Sequence, residues 1–254
     1  RPISLTSFLL KGMERTIDRG IRDGPLKVQP LHANQHAFQP GKSTETALSW
    51  IVNRVENALE NKEYALAVFF DMEGAFDHVR YDDVARAFQE RGVDDTINRW
   101  ITELLTNRVI TSEFHQVKVS RTPGKGMPQG GGLSPLLWLM VADKLLEALN
   151  WSCTPAQFFA DDGTIVLVGR VLSTLCDLMQ GALRQVEHWC NRLGLSVNPS
   201  KTELMLFTHR RKPEVLKPIR FYGIQLQKSA VVKYLGVYID ELLNWKHHVD
   251  NKCS

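Results

Sequence analysis

The sequence contains no run of about 18 or more apolar residues, the length a helix needs to cross a bilayer, so no membrane span is expected. Cysteine is scarce: Cys153, Cys176, Cys190 and Cys253 lie far apart, without a C-x-x-C pair. That spacing suggests neither a zinc knuckle nor a disulfide framework, and it fits a reducing compartment. No secretory signal is visible. Internal repeats and low-complexity tracts are missing too, so neither a repeat array nor a flexible linker is expected. The chain begins at Arg1 rather than Met, and a segment of a longer protein is therefore expected.

What is present is 254 residues, 43% hydrophobic and 23% charged, enough for one large globular unit or two lobes with a sizeable core. The net charge is only +3, but it is unevenly spread. From Lys201 to Lys233 there are eight basic residues against Glu203 and Glu214, which leaves that tract at +6 and the rest of the chain at −3. Such a tract can bind phosphate backbone, or it can be a solvated loop.

Ser43 or Thr44 can cap a helix that carries Leu48, Ile51, Val52, Val55 and Leu59 on one face and ends near Asn61-Lys62. Residues 65–70 form a short apolar run without a polar helical face and read as a buried strand. Helices are predicted over 81–91, stopped by Gly92, and over 94–106, with Ile97, Trp100, Ile101, Leu104 and Leu105 inward. Residues 109–119 read as extended, ahead of the loop Pro123-Gly124-Lys125-Gly126. Ser134-Pro135 predicts a helix start with Ser as N-cap and Pro at the first helical position. Residues 157–168 have apolar stretches on both sides of Asp161-Asp162-Gly163, which predicts a β-hairpin with a tight Asp-Gly turn. A long helix over 172–193 stops at Gly194, and short strands follow around 203–208, 219–222 and 231–239. The order points to an α+β fold with a mostly antiparallel sheet.

Three Asp-Asp pairs invite comparison. Asp82-Asp83 and Asp94-Asp95 fall in the first turns of predicted helices, where carboxylates cap backbone N–H groups and meet the positive end of the helix dipole. Asp161-Asp162 has no such helix. At a buried hairpin tip two adjacent carboxylates repel unless a cation neutralises them, whereas an exposed tip would remove the conflict. Asp71 closes an apolar strand, a place equally suited to a turn residue. If the two sites converge, they form an all-oxygen site of the kind Mg²⁺ prefers. Two such ions about 3.5–4 Å apart are the apparatus of nucleotidyl transfer.

Several motifs then follow in order: Arg1-Pro2-Ile3-Ser4-Leu5, Gln35-His36-Ala37-Phe38-Gln39-Pro40-Gly41-Lys42-Ser43-Thr44, and Phe70-Asp71-Met72-Glu73-Gly74-Ala75-Phe76-Asp77. Next come Gly126-Met127-Pro128-Gln129-Gly130-Gly131-Gly132-Leu133-Ser134-Pro135 and Phe159-Ala160-Asp161-Asp162. The last are Leu193-Gly194-Leu195-Ser196-Val197-Asn198-Pro199-Ser200-Lys201-Thr202 and Lys233-Tyr234-Leu235-Gly236. Over nearly its whole length the series resembles the reverse transcriptase domain of non-LTR (LINE-type) retrotransposons.

That resemblance implies a right-hand polymerase fold with an antiparallel palm sheet, helical fingers and a truncated thumb. The fingers would take about 1–62 and 78–126, the palm about 63–77 and 127–239, and the start of the thumb 240–254. It implies that Asp71, Asp161 and Asp162, with the backbone carbonyl of Met72, hold two Mg²⁺ ions, for which Mn²⁺ can substitute. Phe76 matches the aromatic gate against a ribose 2′-hydroxyl. Gln129 and the flexible Gly130 match the incoming-nucleotide pocket. Lys201 matches the lysine that aids protonation of pyrophosphate, and Arg1 matches the fingers arginine that grips the triphosphate. Tyr234, Leu235 and Gly236 match the primer grip. The implied partners are an RNA template, a DNA primer or nicked target DNA, and dNTPs, with an endonuclease domain in the same full-length polyprotein and a nuclear location. The family often has Ser where Gly131 stands, which removes a hydroxyl beside the pocket, and its fingers and thumb normally extend beyond this span.

Gly41-Lys42-Ser43-Thr44 imitates a phosphate-binding loop, but His36 stands where that motif needs Gly, and no strand precedes it. His188 with Cys190, and His247-His248, lack zinc-like spacing. The rival readings are a non-catalytic nucleic-acid-binding domain descended from a polymerase and a group II intron maturase-type reverse transcriptase.

Overall fold

The computed structural model describes residues 3–115 and 117–253. In chain order it contains helices α1 (Phe8–Asp23), α2 (Pro25–Val28) and α3 (Thr44–Glu60), then strand β1 (Tyr64–Glu73). Helices α4 (Ala75–His78), α5 (Tyr81–Glu90) and α6 (Asp95–Thr106) follow, then strands β2 (Ile110–Phe114) and β3 (Val117–Arg121) and helix α7 (Ser134–Trp151). Strands β4 (Ala156–Phe159) and β5 (Asp162–Gly169) precede helix α8 (Leu172–Leu193), β6 (Ser196–Val197), a 3₁₀ turn at Pro199–Lys201 and β7 (Glu203–Phe207). Strands β8 (Arg220–Phe221), β9 (Ile224–Gln225), β10 (Val231–Tyr234) and β11 (Val237–Asp240) and helix α9 (Lys246–Cys253) complete it. No helix among the described residues is long and apolar enough to cross a membrane.

The chain divides into two compact units. One comprises the described residues through His32, Gly74–Lys144 and Arg192–Leu195; the other comprises Ala33–Glu73, Leu145–Asn191 and the chain from Ser196.

The second unit is built on an antiparallel sheet in the order β4-β5-β1, whose far edge pairs with β6 and β7. Strand β1 is central and covered on both faces, so residues 64–70 are all buried and read as a continuous apolar run. Ala65, Ala67 and Phe69 alternate onto one face and pack with Ile51 and Val55 of α3, Met205 and Phe207 of β7, and Val232 and Tyr234 of β10. Helix α3 starts as predicted: Ser43 Oγ accepts from the Thr46 N–H, and Thr46 Oγ1 accepts from the Ser43 N–H, a reciprocal cap.

The hairpin β4–β5 departs from expectation. Phe159 faces Asp162, so the two turn residues are Ala160 and Asp161, not Asp162 and Gly163. Ala160 takes a left-handed φ of 57°, a conformation costly for any residue with a Cβ. Gly163 lies inside β5 instead, where a Cβ would stand 2.4 Å from the Phe70 ring and 2.7 Å from the Phe158 ring. The glycine is there for close packing, and the turn lies two residues earlier than expected.

The first unit contains α5 and α6, which end and begin as predicted: Gly92 has φ 69°, and Asp94 accepts from the Thr96 and Ile97 N–H groups. Asp82 and Asp83 do lie in the first turn of α5, but no side chain caps that helix. The buried Asp83 instead pairs with Arg80, Nε to Oδ2 at 2.7 Å, and with Arg86. Ser134 is also not the N-cap of α7, since the first helical bond runs from Leu137 N–H to the Leu133 carbonyl. The Ser134 hydroxyl donates to the Pro128 carbonyl at 2.7 Å and fastens the preceding loop. A fully buried ion pair, Arg91 with Asp143, ties α7 to the end of α5; Arg91 also donates to the Gln29 and Pro30 carbonyls, and Asp143 accepts from the His32 N–H.

Candidate active site

In the sheet unit, Asp71 and Asp162 face each other across the β1–β5 ladder. Facing residues in an antiparallel pair project to the same side with Cβ atoms about 4.5–5.5 Å apart, and like charges so placed destabilise the sheet. Both are partly buried, as is Asp161 at the turn, whose carbonyl accepts from the Met72 N–H at 3.1 Å. That bond extends the ladder past its last strand residue and fixes the turn against β1. Met72 itself is fully buried and pairs with Val197. Among the described residues no three His, Cys, Asp or Glu side chains are gathered closely enough to hold a metal ion. The arrangement is two facing carboxylates with a third at the adjoining turn.

Tyr234 lies on the same face of the sheet, its ring 5.3 Å from that of Phe69. It is only 4% exposed, so a surface role at this hairpin falls to the two-residue turn Leu235-Gly236. Burial, and then the nearby Asp162 charge, push the Tyr234 hydroxyl well above the usual phenol range. Lys201 is the last residue of the 3₁₀ turn, with Nζ 3.9 Å from Glu73 Oε1; the same oxygen accepts from Asn198 Nδ2 at 3.1 Å. Glu73 and Asp71 share a face of β1 by strand periodicity. Glu73 was not singled out in the sequence, although its two-residue offset from Asp71 is the signal that places it there.

In the other unit, the Gly126–Pro128 loop is stitched to α4. Met127 N–H donates to the Phe76 carbonyl at 2.5 Å and Gly126 N–H to the Val79 carbonyl at 2.7 Å. A Cβ on Gly126 would stand 2.5 Å from the Asp77 carbonyl oxygen, and its φ is 83°, so only glycine allows this approach. Phe76 is partly buried, its ring 6.3 Å from that of Trp138, which leaves part of it accessible. Gln129 is held twice: its carbonyl accepts from the Ser4 N–H at 2.7 Å, and its Nε2 lies 3.3 Å from both carboxylate oxygens of Asp77. Gly130 packs against Ile3. A side chain on Gly131 would meet Ser134 Oγ at 2.8 Å and Glu14 Oε1 at 3.2 Å. The buried Glu14 accepts from the Gly132 N–H at 2.9 Å, so this carboxylate stands in the space that a serine at 131 would need. Arg1 lies outside the described residues.

The basic tract is less available than its charge suggests. Lys201, Arg210, Lys217 and Lys228 lie within 4 Å of Glu73, Glu214, Asp177 and Glu241. Arg210 also covers the Tyr64 ring at 4.2 Å.

The family described as reverse transcriptase (RNA-dependent DNA polymerase) matches residues 1–239. The chain belongs to the reverse transcriptase family. Among curated relatives, it is 29% identical over 254 residues to a probable RNA-directed DNA polymerase from transposon BS of Drosophila melanogaster, covering 98% of this chain and 28% of that protein. It is 28% identical over 252 residues to the Pol polyprotein of a type-1 retrotransposable element R1 of Bradysia coprophila, covering 98% of this chain and 24% of that protein. The reverse transcriptase chain thus spans about a quarter of the length of these relatives, which belong to non-LTR elements. Its fold is similar to that of an apo telomerase from Candida tropicalis truncated from the C-terminal domain, with a TM-score of 0.58 at 12% identity, covering 92% of this chain and 44% of that one. The α+β polymerase fold expected from the sequence is therefore the fold observed. Reverse transcriptases generally use divalent metal ions.

Proposed function

We propose that this chain is the polymerase core of a non-LTR retrotransposon RNA-directed DNA polymerase, extending a primer 3′-hydroxyl with dNTPs on an RNA template. The observation that carries the reading is the facing pair Asp71 and Asp162 with Asp161 at the adjoining turn. A sheet that sets two carboxylates opposite each other gains from a cation between them, and a donor set made only of carboxylate and carbonyl oxygens suits Mg²⁺. Asp71, Asp161 and Asp162, with the Met72 carbonyl, would hold two such ions.

Bound divalent ions would activate the attacking hydroxyl and stabilise charge on the departing pyrophosphate. The chain's own residues supply the rest. The β1–β5 ladder and the Met72–Asp161 bond keep the three acids on one rigid strand end. The accessible part of the Phe76 ring excludes a ribose 2′-hydroxyl. Gln129 lines the nucleotide pocket, and Lys201 Nζ donates a proton toward the leaving pyrophosphate once it swings off Glu73. The β4-β5-β1 sheet is the palm in this reading, and the helical unit contributes fingers. The partners are an RNA template, a DNA primer or nicked target DNA, and an endonuclease within the same polyprotein.

Primer extension on an RNA template, with dNTPs or NTPs, tests this reading. Wild type should incorporate dNTPs preferentially, and Phe76→Ala should narrow that preference about tenfold or more. An unchanged preference removes the gate. No incorporation by folded, template-bound protein favours the non-catalytic nucleic-acid-binding alternative.

A further inference from the structure

We infer that Asp77 is a positioning residue that sets the orientation of the Gln129 amide, and through it the affinity for the incoming nucleotide. The inference rests on the reading of Gln129 as a nucleotide-pocket residue. Both oxygens of Asp77 lie 3.3 Å from Gln129 Nε2. An ionised carboxylate only accepts hydrogen bonds, so it fixes which end of the amide faces it. The reversed amide would set its oxygen against two carboxylate oxygens. With the NH₂ end held by Asp77, Gln129 Oε1 is turned to the opposite side as an acceptor, suited to a donor group on the substrate rather than to a phosphate oxygen.

The geometry around this contact is built to be rigid. Asp77 sits on α4, where its N–H donates to the Gly74 carbonyl at 2.8 Å. The backbone bonds of Phe76 and Val79 to Met127 and Gly126 flank Asp77 in the chain and fix its separation from Gln129. The Ser4 N–H holds the Gln129 carbonyl, and Arg108 Nη2 donates to the Gly126 carbonyl at 2.8 Å from another side of the loop. Asp77 and Gln129 both line a cavity of about 560 Å³ whose wall also includes Ile3, Ser4, Arg108 and Lys125. That volume is in the range of small-molecule sites. Asp77 itself is exposed, and an exposed side-chain contact of this kind contributes little to stability, so its placement is better accounted for by orientation than by folding.

Two measurements on the full 254-residue chain decide it. The first is the ¹⁵N side-chain amide signal of Gln129, assigned by its loss in Gln129→Ala. Asp77→Ala should collapse its dispersed proton pair toward the free-glutamine position, and Asp77→Asn, which keeps an acceptor oxygen, should preserve it. The second is steady-state incorporation. Asp77→Ala should raise the KM for dNTP about fivefold, the worth of one hydrogen bond, with kcat within twofold. Asp77→Asn should restore KM, and Asp77→Ala should have no further effect in a Gln129→Ala background. An unmoved amide signal in Asp77→Ala overturns the inference, as does an equal KM rise with or without Gln129. If wild type incorporates nothing, the polymerase reading fails, and the amide signal still judges Asp77.

Discussion

Asp71 and Asp162 face each other across the β1–β5 ladder, one at the end of the central strand and the other at the start of its hairpin neighbour. Sheets normally avoid two like charges at such positions, and here the pair sits beside the buried Tyr234 ring, on the same face as Phe69 and Thr164. Facing like charges repel, and in the proposed reading a divalent cation between them would offset that repulsion.

The first prediction concerns that repulsion. Without divalent metal, Asp162→Asn should be more stable than wild type by a few tenths to about 1 kcal/mol, the worth of a facing pair. Adding Mg²⁺ should raise the melting temperature of wild type and leave the variant nearly unmoved. A less stable variant, or an equal metal response in both, contradicts the repulsion account.

Gly163 offers a steric test. Its missing Cβ would lie 2.4 Å from Phe70 Cζ and 2.7 Å from Phe158 Cε1. Gly163→Ala should destabilise by about 1–3 kcal/mol in urea unfolding, and shortening Phe70 to Leu in the same chain should recover part of the loss. No loss in the single variant would mean that the rings can move aside.

The buried pair Arg91–Asp143 gives the largest expected loss. Asp143→Ala leaves a guanidinium that is itself 4% exposed without its carboxylate, at a cost of about 3–5 kcal/mol. Replacing both residues by apolar ones of similar volume should recover most of that stability. A loss below about 1 kcal/mol in the single variant would show that the Gln29 and Pro30 carbonyls alone satisfy Arg91.

His36 predicts a pH dependence. Its Nδ1 lies 2.9 Å from Thr46 Oγ1, whose own proton goes to the Ser43 carbonyl, so Nδ1 carries the hydrogen and the buried Nε2 is bare. Burial, and then the Lys42 charge, lower the imidazole to about 4. Above pH about 6.5 the ring is neutral in both folded and unfolded chains and its contribution is complete. Between about 6.5 and 4 the unfolded chain takes up a proton that the folded chain resists, so stability falls as pH falls and levels off below about 4. His36→Asn should lack this component of the slope; parallel urea midpoints for the two proteins over pH 4–7 contradict it.

The helices were legible because their apolar spacing and caps are local: Ser43, Gly92 and Asp94 act within one turn of themselves. The three acids were legible as residues but not as an arrangement. A slip of one position would set Asp71 opposite Asp161 or Gly163, and the register that prevents this depends on packing along the whole of β1. The hairpin turn was misplaced because Asp-Gly is the stronger local signal, while the ring of Phe70, distant in sequence, and that of Phe158, its hairpin partner, claim Gly163. Asp143 lies 52 residues from Arg91 and Asp177 lies 40 residues from Lys217, with nothing local to announce either pairing.

The most direct test of the central claim is single-turnover primer extension on an RNA template with dNTPs and Mg²⁺, comparing wild type, Asp71→Asn and Asp162→Asn, each shown to be folded. The account predicts incorporation by wild type and a loss of at least about a hundredfold in each variant. Equal incorporation by all three would contradict it.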